Sequence, residues 1–212
     1  MKRVIIVFIA IIAATVVGNA QFFVEGDLGV SFLKHSYEFD NVQNPSSTLS
    51  IDVSPQVGYW MNDKVAVGAR VSFTTRHNKS LTTNADEQRI EVKNWTPGWS
   101  VSVLGRYKFW GSEKFSVLAE SYVEIGGNIS KERIGSVTKE VNSMSFIGIH
   151  VVPIATYDLS EKFSVKAMCD FLNLGYDFFR VKYENNHKAT NSHFGFGLQS
   201  STSVRIGFIY NF

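Results

Sequence analysis

Through most of this 212-residue chain, apolar and polar residues change places at every step. Ile51, Val53, Pro55, Val57, Tyr59 and Met61 alternate with Asp52, Ser54, Gln56, Gly58 and Trp60. Val65, Val67, Ala69, Val71 and Phe73 alternate with Ala66, Gly68, Arg70, Ser72 and Thr74, and the pattern returns around residues 100–110, 115–125, 163–171 and 204–212. Successive side chains of a strand point to opposite faces, whereas a helix brings a face round every 3.6 residues. A chain patterned in this way folds into strands with one greasy and one polar face, and no stretch carries the helical period.

Eight strands are expected, over roughly 22–36, 48–61, 64–77, 95–110, 114–130, 143–157, 162–180 and 192–212. The connections alternate in length. Those after the second, fourth and sixth strands are tight: Asn62-Asp63, Gly111-Ser112-Glu113, and Asp158 to Glu161. Those after the first, third, fifth and seventh are longer and polar, the clearest running from Arg76 to Asn94. A weak repeat marks the tight side: Y-W-M-N-D-K-V from Tyr59, Y-K-F-W-G-S-E-K-F from Tyr107 and Y-D-L-S-E-K-F from Tyr157. Each is an aromatic strand end, an acidic turn and a lysine opening the next strand. Tyr59, Trp60, Tyr107, Trp110 and Tyr157 are therefore assigned to an interface belt, where rings settle among lipid headgroups and lysines reach water.

The N-terminus places Lys2 and Arg3 before an apolar run from Val4 to Val17 and small residues at Gly18 and Ala20. This is the layout of a secretory signal peptide, so residues 1–20 are expected to be cleaved before Gln21, leaving one domain over 21–212. Without Lys2 and Arg3, 19 basic residues face 19 acidic ones, which gives no electrostatic footprint for a nucleic-acid partner. The single cysteine, Cys169, cannot form an intramolecular disulfide. Past the signal no apolar stretch approaches the roughly 20 residues of a membrane helix, so any crossing of a bilayer is made by strands.

With the apolar faces outward, Glu25, Asp27, Asp52, Gln56, Arg70, Arg106, Glu120, Glu124, Lys166, Asp170, Gln199 and Arg205 point inward. A closed ring of about eight strands has an interior only wide enough for side chains to fill. Acids and bases there have to pair, since an unpaired buried ion is very costly. The predicted interior charge network is Glu25, Asp27, Asp52, Arg70, Arg106, Glu120, Glu124, Lys166, Asp170 and Arg205. Alternation alone also fits a lipocalin-like barrel with its apolar face inward, or a β-sandwich. The signal peptide, the short and long connections, the aromatic strand ends and the terminal aromatic favour the outward assignment.

The last residues, V-R-I-G-F-I-Y-N-F, resemble the C-terminal signature of small bacterial outer-membrane β-barrels of the OmpA/OmpX-like or porin-like kind, with Val204, Ile206, Phe208, Tyr210 and Phe212 in the matching places. The resemblance implies an all-β, eight-stranded antiparallel up-and-down transmembrane β-barrel in the bacterial outer membrane. It also implies that these five residues are the insertion signal read by the barrel-assembly machinery. Expected partners are outer-membrane lipids, lipopolysaccharide and an extracellular ligand, with the barrel a monomer. The expected function is non-enzymatic, structural or surface-binding through four longer outer loops. Two alternatives are a small pore and a lipid A-modifying enzyme. For the enzyme, no His-x-Ser pair occurs, and Ser192 and His193 as strand neighbours point to opposite faces. His77 and His187 lack zinc spacing, and neither a catalytic residue, a cofactor nor a metal is assigned. Pro55 and Pro153 inside strands predict interruptions of hydrogen bonding.

Overall fold

The computed structural model describes residues 22–39, 42–83, 89–169, 172–184, 187–196 and 204–212. Among these are ten antiparallel strands: β1 (Phe22–Phe39), β2 (Val42–Trp60), β3 (Val65–Thr83), β4 (Arg89–Gly111), β5 (Phe115–Ile134), β6 (Val137–Asp158), β7 (Phe163–Cys169), β8 (Leu174–Tyr183), β9 (Lys188–Phe196) and β10 (Val204–Asn211). Pairing runs from β1 through β2, β3, β4, β5, β6 and β7 to β10, and β10 returns to β1, so that eight strands form a ring. The signal segment and Gln21 lie outside the described residues.

The eight expected strands become ten because the last two each divide. β6 pairs with β7 over Ile154–Asp158 and with β8 over Asn142–Val151, leaving a gap at Val152 and Pro153 among the described residues. Proline has no N–H to give to a ladder, and the expected strand over 162–180 breaks opposite it. The strand expected over 192–212 is likewise β9 and β10. β9 pairs only with β8, and past Leu28 the β1 strand pairs only with β2, among the described residues.

The other prolines behave alike. The β2–β3 ladder stops at Ser46, next to Pro45, and skips Ser54 and Pro55; the β4–β5 ladder skips Thr96 and Pro97. Register is unchanged across both gaps, and hydroxyls bridge them: Ser54 Oγ donates to Ser72 Oγ at 3.0 Å, and Thr96 Oγ1 to Ser130 Oγ at 3.2 Å.

The long loops are the second correction. β3 continues to Thr83 and β4 begins at Arg89, so most of the segment from Arg76 to Asn94 is strand, paired residue for residue up to Thr83 and Arg89. β5 and β6 meet at a two-residue turn whose Gly135 has φ +59°, a value glycine adopts without strain. These ends are polar, yet rich in threonine and bonded across the strands, which satisfies backbone groups that a loop would leave to water. At the other end the tight turns are held by side chains: Asn62 Oδ1 accepts from the Lys64 and Val65 N–H at 2.9 Å, and Ser160 Oγ accepts from the Phe163 N–H at 3.1 Å.

The ring is inside out relative to a water-soluble core. Leu28, Val30, Phe32, Val53, Val67, Phe73, Val101, Val103, Ile125, Ile149, Ile206 and Phe208 are exposed, while Glu25, Asp27, Arg70, Arg106, Glu120 and Lys166 are each at most 3% exposed. On β2 the outward apolar residues run from Tyr59 to Leu49, about 34 Å of strand at about 3.4 Å per residue. At a tilt of about 45° that is a band about 24 Å tall, close to the apolar height of an outer-membrane barrel.

Candidate functional site

The interior is built in layers. Glu25 and Asp27 come from β1, Gln56 from β2, Arg70 from β3, Arg106 from β4, Glu120 from β5 and Lys166 from β7. Arg106 reaches Glu25 at 2.7 Å and Glu120 at 2.8 Å. Arg70 pairs with Glu120, and its Nε donates to Gln56 Oε1 at 3.0 Å. Lys166 pairs with Glu25 and lies 2.7 Å from Asp27 Oδ2. Three carboxylates thus meet three cations, so the layer carries no net charge and each ion has a partner, which is what makes its burial tolerable.

Aromatic and aliphatic side chains flank this layer. The Arg70 guanidinium lies 5.1 Å from the Tyr122 ring and the Arg106 guanidinium 5.1 Å from the Phe23 ring, cation–π contacts in a dry setting. Leu104, Leu118, Tyr122, Val152, Ile154 and Met168 form one buried cluster; Phe23, Ala66 and Ile209 form another toward the tight turns. Trp60 packs against both. This corrects the belt: Trp60 pairs with Ala66 and lies on the inner face, beneath Lys108 at 5.8 Å, because its neighbour Tyr59 takes the outward parity. Tyr107, Trp110 and Tyr157 are exposed and Tyr59 half-buried, all outside the ring.

Of the ten residues expected in the interior network, six join this layer. Asp52 is half-buried and accepts from Thr74 Oγ1. Arg205 is half-buried, and its stem and Asp52 both pass over Gly29, where a Cβ would come within 3.0 Å of Arg205 Cγ and 3.5 Å of Asp52 Cβ. Glu124 belongs to a separate cluster with His150 and Asp177, on the far side of Tyr122 from the turns, where the His150 ring stacks on Tyr122 at 4.9 Å between centroids. Asp170 and Gln199 lie outside the described residues.

Sequence reasoning passed over His150 and Asp177. The signal was their inward parity beside glycine: Gly148 pairs with both Glu124 and Asp177, and His150 pairs with Gly175.

Along β10, Ile206, Phe208 and Tyr210 are exposed on the outer face, and Phe208 stacks on Phe163 at 5.8 Å. Phe212 is half-buried, meets Tyr210 edge-on at 5.1 Å and donates its N–H to the Phe22 carbonyl at 3.1 Å, so the terminal residue closes the ring. The side chain of Val204 is outside the described set. Ser192 and His193 sit side by side on β9, both exposed.

No family model and no curated protein matches the sequence. Among solved structures the fold is similar to Neisserial surface protein A (15% identity, 92% of this chain and 100% of that one, TM-score 0.43). It is also similar to a major outer membrane protein from Thermus thermophilus (15%, 92% and 100%, TM-score 0.44) and to the outer membrane protein OprG from Pseudomonas aeruginosa (14%, 91% and 96%, TM-score 0.43). The proteins found are bacterial outer-membrane β-barrels. At these identities the likeness assigns no role to any residue.

Proposed function

We propose that the chain is a non-enzymatic protein of the bacterial outer membrane, an eight-stranded transmembrane β-barrel whose lumen is plugged and whose extended outer strands form its working surface. The observation that carries this reading is the inverted polarity of the ring: Glu25, Asp27, Arg70, Arg106, Glu120 and Lys166 are buried inside while valine, isoleucine, leucine and phenylalanine stand exposed around the outside. Water would not stabilise such an exterior; hydrocarbon would. The neutral charge layer between Tyr122 and Phe23, with Trp60 toward the turn end, supports a filled rather than an open lumen. Strands of 19 to 23 residues in β2 to β6 exceed the roughly 9–11 that a crossing needs, and the excess is polar sheet projecting from one side. On that surface contact with lipopolysaccharide or an extracellular ligand would take place.

The test joins membrane fractionation, gel migration with and without boiling, and current across a planar bilayer. The expected result is outer-membrane recovery, a heat-dependent shift and no sustained conductance. Steady single-channel steps would replace the plugged reading with a small pore, and a soluble protein without a shift would overturn both.

A further inference from the structure

The wall of the ring holds a second polar cluster that the charge layer does not use. Glu124 on β5, Gly148 on β6 and Asp177 on β8 form one row across three strands. His150 stands one inward step along β6, 7% exposed. Its Nε2 lies 3.1 Å from Asp177 Oδ1 and 3.5 Å from Glu124 Oε1, and the three ligand atoms are all within 4.8 Å of one another. Two donors bound to one ion at about 2.1 Å stand about 3.0 Å apart at a right angle and about 3.4 Å apart at the tetrahedral angle. Both imidazole–carboxylate separations have that spacing.

Two orphaned atoms point the same way. Nε2 of His150 is buried and makes no hydrogen bond although two carboxylates face it, and Asn173 Oδ1 is buried without a partner too. Asn173 Nδ2 stands 3.1 Å from His150 Nδ1. The two ends of an amide are interchangeable in shape. Turned over, Asn173 Oδ1 accepts the Nδ1–H, and in the neutral ring Nε2 then presents a bare lone pair toward two carboxylates. Three electron-rich atoms converging without a proton between them repel one another unless a cation sits among them. A ligating histidine whose other nitrogen is fixed by a second hydrogen bond is the usual arrangement around a metal.

The backbone is cut away to make room. A Cβ on Gly148 would meet Asp177 Oδ1 at 2.4 Å and His150 Nε2 at 2.6 Å, and one on Gly175 would meet His150 Nδ1 at 2.3 Å. We infer that Glu124, His150 and Asp177 bind a divalent transition-metal cation of the Zn2+ type, oriented by Asn173 and completed by water. One imidazole with two carboxylates suits Zn2+ and its first-row neighbours better than Ca2+ or Mg2+, which favour oxygen alone. Glu124 and Asp177 keep some exposure, at 20% and 15%, so an ion has a way in. The ion would tie β5, β6 and β8 together, and its site stands whether or not the ring crosses a membrane.

The test uses the folded, full-length protein in detergent, with Zn2+ followed by calorimetry and Co2+ by visible absorption. One Zn2+ per chain, removable by EDTA, is expected, with Co2+ bands that Mg2+ does not displace. Glu124→Gln and Asp177→Asn keep the shape and should each weaken Zn2+ at least about 10-fold, as should His150→Ala. His77→Ala, on the exposed outer face, should change nothing. Asn173→Leu should weaken binding about 10- to 100-fold and shift the Co2+ bands, as loss of the group that orients a ligating imidazole does. The heat-dependent gel shift verifies that each variant is folded. A folded wild type that takes up no Zn2+ would leave His150 a plain bridge between carboxylates and overturn the inference; so would undiminished binding in Glu124→Gln and Asp177→Asn, which would place the ion on exposed histidines.

Discussion

Lys166 and Asp27 reach each other over Gly207: Nζ stands 2.7 Å from Oδ2, and the strand between them contributes at that level only the glycine that pairs with both. The construction recurs where Glu124 and Asp177 flank Gly148, and where Asp52 and Arg205 lean over Gly29. In each case the two residues lie in one row on next-but-one strands. A glycine between them lets the two lean together, so its value is the space it leaves.

Gly207→Ala therefore tests the bridge. A Cβ there would lie 2.0 Å from Asp27 Oδ1, so the buried carboxylate has to shift. Separating the pair leaves buried charge uncompensated, at a cost of about 3–5 kcal/mol. Gly26→Ala, where nothing stands within 4 Å, should stay within about 0.5 kcal/mol. Urea unfolding in micelles reads both; equal midpoints would show that the Gly207 gap is incidental.

Glu120 serves two arginines. Glu120→Leu should destabilise the protein by about 3–5 kcal/mol, because Arg70 loses its carboxylate and Arg106 one of two. Adding Arg70→Met restores neutrality and should recover most of the loss, since a packed apolar pair can replace a buried ion pair. A double variant as weak as the single would mean that packing, not charge balance, governs the layer.

Phe73 and His77 share the outward parity of β3, Phe73 paired with Val53 near the middle of the apolar band and His77 with Leu49 at its edge. Phe73→Arg should cost about 2–4 kcal/mol of insertion free energy and His77→Arg about 0–1, because the penalty falls from bilayer midplane to interface. The ratio of shifted to unshifted gel bands measures this. Equal yields of the two would contradict the lipid-facing assignment.

Phe212 bridges back to Phe22 and helps line a groove of about 350 Å3 with Val57, Tyr59 and Val67. Deleting it should slow assembly several-fold in pulse-chase, whereas Glu113→Ala, in an exposed turn, should not. Similar rates would take the insertion signal away from the chain end.

Alternation was readable because it is local: the inward parity of Glu120 or Lys166 needs only its neighbours. Partners were not, since which arginine meets Glu120 depends on register across strands far apart in sequence. The inward apolar residues Leu118, Ile154 and Met168 show why a polar inner face is no complete rule: charges have to be packed as well as paired. Trp60 was legible by parity, and the aromatic repeat pulled it to the wrong face. The split at Val152 and Pro153 was half legible, in the proline and not in the shift of partner from β7 to β8. The polar strand ends were read as loops because composition was weighed above cross-strand bonding.

Long paired extensions also limit how the projecting surface can change in length. A loop accepts one residue more or fewer with little consequence. Along β3 and β4, still bonded at Thr83 and Arg89, a single inserted residue would turn every side chain beyond it to the opposite face. Insertions and deletions that keep the sheet intact there come in twos, one for each face.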